Sequence, residues 1–321
     1  MKKIILSLYL LTVAATLSAQ TFIPIWEKGK MPNSRGLNLP DSIANERIYQ
    51  VGTPGIYLFE TSQAENKGAA VVIVPGGGYA RLAYQISGFQ LAKWFNTMGF
   101  TAFVLQHRLP QSPDVEICYQ APLQDMQRAL RYIRAHADRW GIDPQRIGVM
   151  GSSAGAHLSA CAATITDDWS RAGDSLDSIS FRPNFAILVS PVVSMDEIAH
   201  KGSRQNLLGS YDTPAMRDKF SCDKQVSEST PKMFIVHAMD DPAVPCLNSL
   251  RLFEALKRHD IKGSSLHIFP NGGHSIALRT IPARPTTGPA WPKSGCTRHP
   301  SYHSALTSHT KNATEFCRVF F

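Results

Sequence analysis

Short runs of β-branched and aromatic residues, separated by stretches with helical spacing, give this chain its pattern. Residues 69–74 read AAVVIV and end at once in Pro-Gly-Gly-Gly, as a strand buried on both faces does. Over 85–98, Phe89, Leu91, Ala92, Trp94 and Phe95 fall at helical intervals, and Gly99 supplies a cap. A second strand is predicted over 101–105 (TAFVL). The longest amphipathic segment is 122–140, where Leu123, Met126, Leu130 and Ile133 recur with Arg128, Arg131 and Arg134 interleaved. A turn at 140–144 leads to a strand over 146–150 and a helix of small residues over 154–163. Further strands are predicted over 185–189 (FAILV), 233–237 (MFIVH) and 265–269, with a helix over 247–258.

Strands alternating with helices predict an α/β fold: a doubly wound, mostly parallel sheet with helices on both faces. Residues 47–59 alternate weakly and suit one or two edge strands, and 21–45 reads as an extended arm. Residues 195–229 break the alternation and are expected to lie over the carboxyl edge of the sheet, where such folds place their sites.

Composition narrows the class. The chain has 321 residues, 43% of them hydrophobic, which allows one large α/β domain or two small ones with a sizeable core. Lys2 and Lys3 precede an apolar run over 4–17 and then small residues, so 1–20 is expected to be an export signal. That run is too short to span a bilayer, and no membrane insertion is expected. The net charge of +8 is concentrated at the ends: the leader carries +2 and the segment from Thr280 carries +4. A nearly balanced body argues against a nucleic-acid partner. The six cysteines, at 118, 161, 222, 246, 296 and 317, contain no C-x-x-C pair and spell neither a disulfide framework nor a zinc site.

The candidate chemistry sits at predicted strand ends. Gly151-Ser152-Ser153-Ala154-Gly155 is a G-x-S-x-G sequence between a strand and a helix. In that context the serine occupies a strained turn, its hydroxyl raised above the sheet and backed by a helix amino end. Ser153 is the candidate nucleophile, and it needs a base held by an acid. This fold supplies them in the order Ser, acid, His. Asp240 and Asp241 follow the strand at 233–237, and either could point into a site there. His274 follows the last strand in a Gly-rich loop, Pro270-Asn271-Gly272-Gly273-His274, and is the candidate base. Gly76, Gly77 and Gly78 end the strand at 69–74 and expose backbone N–H groups. Gly77 or Gly78, together with Ala154, is the candidate oxyanion hole. Neither G-x-G-x-x-G nor G-x-x-x-x-G-K-[ST] is present, so no phosphate or nucleotide cofactor is expected. Tyr79 suits either the wall of an acyl pocket or ordinary packing. His157, His107 and Arg108 suit structural roles better than chemical ones.

These residues resemble the exported carbohydrate esterases of the α/β-hydrolase superfamily, especially acetyl-xylan esterases and bifunctional feruloyl/acetyl esterases. The likeness rests on VVIVPGGGY (71–79), QHRL (106–109), RIGVMGSSAGAHLSA (146–160), DDPAVP (240–245) and FPNGGHS (269–275), and it covers 21–279. It implies a catalytic domain over those residues and a Ser153–His274–acid triad that needs no metal. The acid that precedes Pro-x-Val-Pro in such hydrolases corresponds to Asp241. The implied substrate is an acetyl or feruloyl ester on a plant polysaccharide such as xylan. The alternatives are a lipase-like esterase, a serine peptidase, and an inactive carbohydrate-binding relative.

The resemblance stops after Arg279. Residues 280–321 are rich in Pro, Thr, His, Ser and Arg without periodicity, where this fold is expected to close with an amphipathic helix. They read as a disordered tail. The hypothesis is a frameshift near codon 280: back-translation read from the third codon base permits a stretch with amphipathic-helix spacing. A close relative carrying the same tail would refute it.

Overall fold

The computed structural model describes residues 20–276. The expected leader and the expected tail from 280 lie outside them, residue 20 aside. Among the described residues there are ten strands: β1 Phe22–Pro24, β2 Ser42–Ala44, β3 Arg47–Gln50, β4 Gly55–Phe59, β5 Ala69–Val74, β6 Phe100–Gln106, β7 Ile147–Ser152, β8 Ala186–Val189, β9 Met233–Ala238 and β10 Ser265–Phe269. The α-helices are α1 Gln90–Thr97, α2 Ala121–Ala135, α3 Ala154–Thr164, α4 Lys201–Leu208, α5 Pro214–Phe220 and α6 Leu247–Arg258.

Eight strands form one sheet in the order β1-β4-β6-β5-β7-β8-β9-β10. The pairs β1/β4 and β4/β6 are antiparallel and the rest are parallel. Strands β2 and β3 pair separately as an antiparallel ribbon. All six residues of β5 are buried, because β5 lies between β6 and β7 with helices over both faces. The alternation along β6 separates those faces. Phe103 and Leu105 join the cluster that includes Met126, Leu130 and Ile133 of α2 and Leu158 of α3. Val104 points the other way, against Gly88 just before α1, where a Cβ would lie 2.8 Å from Val104 Cγ1. Among the described residues, no helix is long and apolar enough to cross a membrane.

Two helices depart from their sequence pattern. The stretch predicted as one helix over 85–98 opens with a π-helical turn, Gln85–Phe89, and becomes α-helical at Gln90. The arginines interleaved on α2 do not face solvent: Arg128 and Arg131 are each only 2% exposed. The segment 165–182 covers them, with Arg128 paired to Asp174 and Arg131 to Asp168. Their guanidinium groups also stack on Trp26 and Phe181.

The arm before β2 is tied down by one buried ion pair. Arg108 and Asp125 meet at 2.8 Å with side chains 1% and 0% exposed. Asp125 also accepts from the Arg108 amide (2.7 Å) and the Trp26 indole N–H (2.8 Å), while Arg108 Nη1 donates to the Pro32 carbonyl (2.7 Å). The structural role expected of Arg108 is thus what the contacts show. Asp125→Ala leaves the guanidinium buried without its counter-charge, and we predict a loss of about 3–5 kcal/mol in denaturant unfolding.

Candidate active site

The candidate residues converge because each follows the carboxyl end of a parallel strand: Gly76–Gly78 after β5, Ser153 after β7, Asp241 after β9 and His274 after β10. The turn at Ser153 has φ 57° and ψ −124°, a conformation that side chains rarely adopt. It is fixed from both sides. The Ser153 amide donates to the Val189 carbonyl (3.0 Å), and the Val192 amide donates to the Ser153 carbonyl (3.3 Å). Neither flanking glycine can carry a side chain. A Cβ on Gly151 would lie 2.2 Å from the Gly155 carbonyl oxygen, and one on Gly155 would lie 2.2 Å from that of Val74.

Ser153 Oγ lies 2.8 Å from His274 Nε2, and His274 Nδ1 lies 2.8 Å from Asp241 Oδ2. With the carboxylate ionised, Nδ1 carries the proton and donates it to Asp241. Nε2 then accepts from the serine hydroxyl. The Asp241 side chain is fully buried. Burial works to raise its pKa, but hydrogen bonds from the Val244 amide, His274 and the Ala243 amide outweigh it, and the net pKa lies below the ordinary 3.8. The two amides bind Oδ1, each at 2.9 Å.

Asp240, the competing acid, is exposed and serves differently. Its Oδ1 accepts the Gly273 amide at 2.8 Å, which pins the loop that carries His274. That loop turns through Gly272 (φ 153°) and Gly273 (φ 57°).

On the other side of Ser153, the amides of Gly77, Gly78 and Ala154 have no acceptor among the described residues. The Gly76 amide, by contrast, donates to Ser87 Oγ (3.1 Å). Gly76 packs directly against the turn: a Cβ there would lie 2.8 Å from the Ser152 carbonyl oxygen and 3.4 Å from Ser153 Cβ. The three glycines, Ser153 and His274 line one cleft of ≈ 500 Å³.

Tyr79 does not line that cleft, so the reading of it as a substrate-binding pocket wall gives way to the packing one. With φ 61° its side chain turns inward, is 3% exposed, and meets His157 Nδ1 through its hydroxyl at 2.8 Å. The packing role is the one the structure supports. His157 passes the contact on, its Nε2–H donating to the Phe220 carbonyl (2.8 Å). Cys161 and Cys222 join it, and ligand-type atoms of the three lie within 4.8 Å of one another although their sequence spacing gave no such signal. The ring nitrogens are already committed in the ring plane. Cys161 Sγ lies 3.7 Å and 3.6 Å from the two nitrogens. With both His157 nitrogens hydrogen-bonded to Tyr79 and Phe220, the cluster is packed as a polar contact.

The BD-FAE family model matches residues 56–256. The chain belongs to the BD-FAE family. It is similar to the acetylxylan esterase of Xylanibacter ruminicola, 36% identical over 218 residues, which are 66% of this chain and 42% of that protein. It is also similar to endo-1,4-beta-xylanase B of Butyrivibrio fibrisolvens, 33% identical over 65% of this chain and 32% of that protein. The chain thus spans less than half the length of either curated relative. Among solved structures, the acetyl ester-xyloside bifunctional hydrolase from Caldicellulosiruptor lactoaceticus superposes with a TM-score of 0.71 at 33% identity, covering 83% of this chain and 93% of that one. The fold is that of the α/β-hydrolase esterases.

The structure adds residues to this BD-FAE site that the sequence reading passed over. His237, at the end of β9, donates from Nε2 to the Val244 carbonyl (3.0 Å) and to Asp241 Oδ2 (3.2 Å), and its Nδ1 accepts from Ser249 Oγ (2.7 Å). Its signal was visible: one polar residue in an otherwise apolar strand. His200 and Asn206, from the segment over 195–229, line the cleft with Arg47 and Arg81.

Burial sets a pH dependence. It lowers the pKa of His237 below the ordinary 6.5, against the opposing pull of Val244 and Asp241, and it lowers that of His107 likewise. Both rings stay neutral in the folded chain at pH values where the unfolded chain takes up protons. Their stability contribution is therefore complete above the unfolded pKa and is lost as pH falls below 6.5 towards the folded values. We predict that the melting temperature falls between about pH 7.5 and 5.5, and that His237→Gln makes this fall shallower. Thermal unfolding across that range checks both.

Proposed function

We propose that this chain is a serine carboxylesterase that removes acetyl, or feruloyl, groups from a plant polysaccharide such as xylan. The observation that carries the reading is the unbroken Ser153–His274–Asp241 hydrogen-bond chain beside amides that have no acceptor among the described residues. Membership of the BD-FAE family and similarity to an acetylxylan esterase support the substrate class.

The chemistry follows from that arrangement. Ser153 Oγ attacks the ester carbonyl carbon as His274 Nε2 takes its proton. The developing oxyanion accepts from the Ala154 amide and that of Gly77 or Gly78, donors already aligned before charge appears. Asp241 keeps the imidazole in the right tautomer and stabilises the imidazolium. His237 and the amides of Ala243 and Val244 hold Asp241 ionised and in place. His274 returns its proton to the departing sugar oxygen, leaving an acyl-Ser153. Water then attacks the acyl carbon with His274 again as base, releasing the carboxylic acid and free Ser153. A polymeric substrate outside the cell also suits a leader over 1–20 that directs export.

Ser153→Ala is expected to lower kcat/KM on p-nitrophenyl acetate by about 10⁴-fold or more, and Asp241→Asn by a similar factor. Acetate release from acetylated xylan should fall in parallel, with a feruloylated oligosaccharide assayed beside it to fix the acyl group. Activity that survives Ser153→Ala would sink the mechanism. Hydrolysis of the nitrophenyl ester without release from xylan would sink the substrate.

A further inference from the structure

Among the described residues, the cleft around Ser153 presents cationic donors and no acid: Arg47 from β3 and Arg81 from the loop after Gly78 both line it, and no Asp or Glu does. Asp241 lies behind His274 with its oxygens already occupied. Arginines that hold this fold together are satisfied internally: Arg108, Arg128 and Arg131 by aspartates, Arg182 by main-chain carbonyls. Arg47 and Arg81 differ. Among the described residues neither makes an ion pair, and the only protein acceptor either guanidinium meets is the Asn45 carbonyl, 2.7 Å from Arg47 Nη1. The remaining N–H groups of both are available to a ligand.

His200 extends this donor surface. The Ser203 amide (3.1 Å) and hydroxyl (2.8 Å) both approach its Nδ1, so the ring proton sits on Nε2. That Nε2–H has no acceptor among the described residues, and the ring shares the cleft with Ser153 and His274. Asn206 Nδ2, from the helix that His200 caps, donates to the Gly78 carbonyl at 2.8 Å and so ties the segment over 195–229 to the glycine loop.

A neutral acetylated sugar gives these guanidinium groups nothing that charge would improve. A carboxylate does, because it accepts planar, charge-assisted hydrogen bonds from arginine. On a plant polysaccharide the carboxylate-bearing unit is a uronic acid. We propose that the cleft binds an oligosaccharide carrying a uronic acid near the esterified sugar, with Arg47 and Arg81 contacting the carboxylate and His200 Nε2–H donating to a sugar hydroxyl. This deepens, and rests on, the polysaccharide-esterase reading above.

The test is calorimetric binding to the intact chain of two unesterified xylo-oligosaccharides of equal backbone length, one with a glucuronic acid branch and one without. Neither can be turned over, so binding is read apart from catalysis. At low ionic strength the acidic oligosaccharide should bind about tenfold more tightly, the gain expected of charge-assisted hydrogen bonds. The gain should shrink to less than about twofold in 0.5 M salt, where exposed charges are screened. It should also be lost in the R47Q/R81Q double variant. The comparison in the unmodified chain stands whether or not that variant folds. Equal affinities overturn the proposal, as does a preference that survives both high salt and a folded double variant. An equal gain from a sulfated oligosaccharide of the same charge overturns the carboxylate assignment. If xylan is deacetylated but no acidic preference exists, the uronate subsite alone fails. If the preference exists but no ester is cut, the esterase reading alone fails.

Discussion

Three stretches of backbone meet at van der Waals distance beneath Ser153, and the rest of the site depends on that contact. Gly151 touches Gly155, Gly155 touches Val74, and Gly76 touches Ser152, each so closely that a methyl group would displace main-chain atoms. Because no side chains intervene, α3 starts immediately beside the end of β7 and across from the end of β5. The chain reverses in one residue, and that residue takes a strained backbone conformation, worth about 1–3 kcal/mol, which the hydrogen bonds to Val189 and Val192 help to hold. The strain positions the Ser153 hydroxyl, the Ala154 amide and the glycine loop around one small volume.

The other half of the site is built by charge compensation. Asp241 loses its water on burial and recovers four donors: the Ala243 and Val244 amides on one oxygen, His237 and His274 on the other. A carboxylate held this way stays ionised and cannot rotate, so His274 has one tautomer and one direction. Asp240 acts from outside on the same loop through the Gly273 amide. Adjacent acids thus divide the work, one orienting the base and the other anchoring the backbone that carries it.

Much of this was legible from the chain because the constraints are local. A β-branched run ending in glycines marks β5, and glycines two residues either side of a serine mark the turn, since backbone contact admits nothing larger. The order of Ser153, Asp241 and His274 along the sheet follows from the fold itself. What escaped the sequence depends on partners distant along the chain. The arginines of α2 read as a polar face, yet the segment over 165–182 supplies aspartates that let them be buried. Tyr79 looked suited to a pocket, but its positive φ and its hydrogen bond to His157 draw it into the core. His237 supports Asp241 through a hydrogen bond that only the β9 turn creates. The single helix read over 85–98 opens as a π-turn where Gly88 must fit against Val104 and Pro75.

The division between sheet and insertion explains why reactivity is easier to read than selectivity. Every group in the proposed bond-breaking steps sits at the end of a parallel strand, and the fold fixes those ends relative to one another. The groups that would meet the rest of a substrate come from elsewhere: Arg47 from a separate ribbon, Arg81 from a loop, His200 and Asn206 from a segment that interrupts the strand–helix alternation. None is tied to the sheet by hydrogen-bond register, so their joint position is a property of tertiary packing. That packing includes the hydrogen bonds of Asn206 to Gly78 and of Gln111 Nε2 to the Asn206 carbonyl, the latter at 2.6 Å. A site organised this way can keep the proposed acyl-transfer chemistry while its selectivity changes with a handful of residues. In this chain the Arg81 guanidinium, most of that of Arg47 and the His200 Nε2–H are donors without acceptors among the described residues, and such donors set the chemistry of a ligand that meets them.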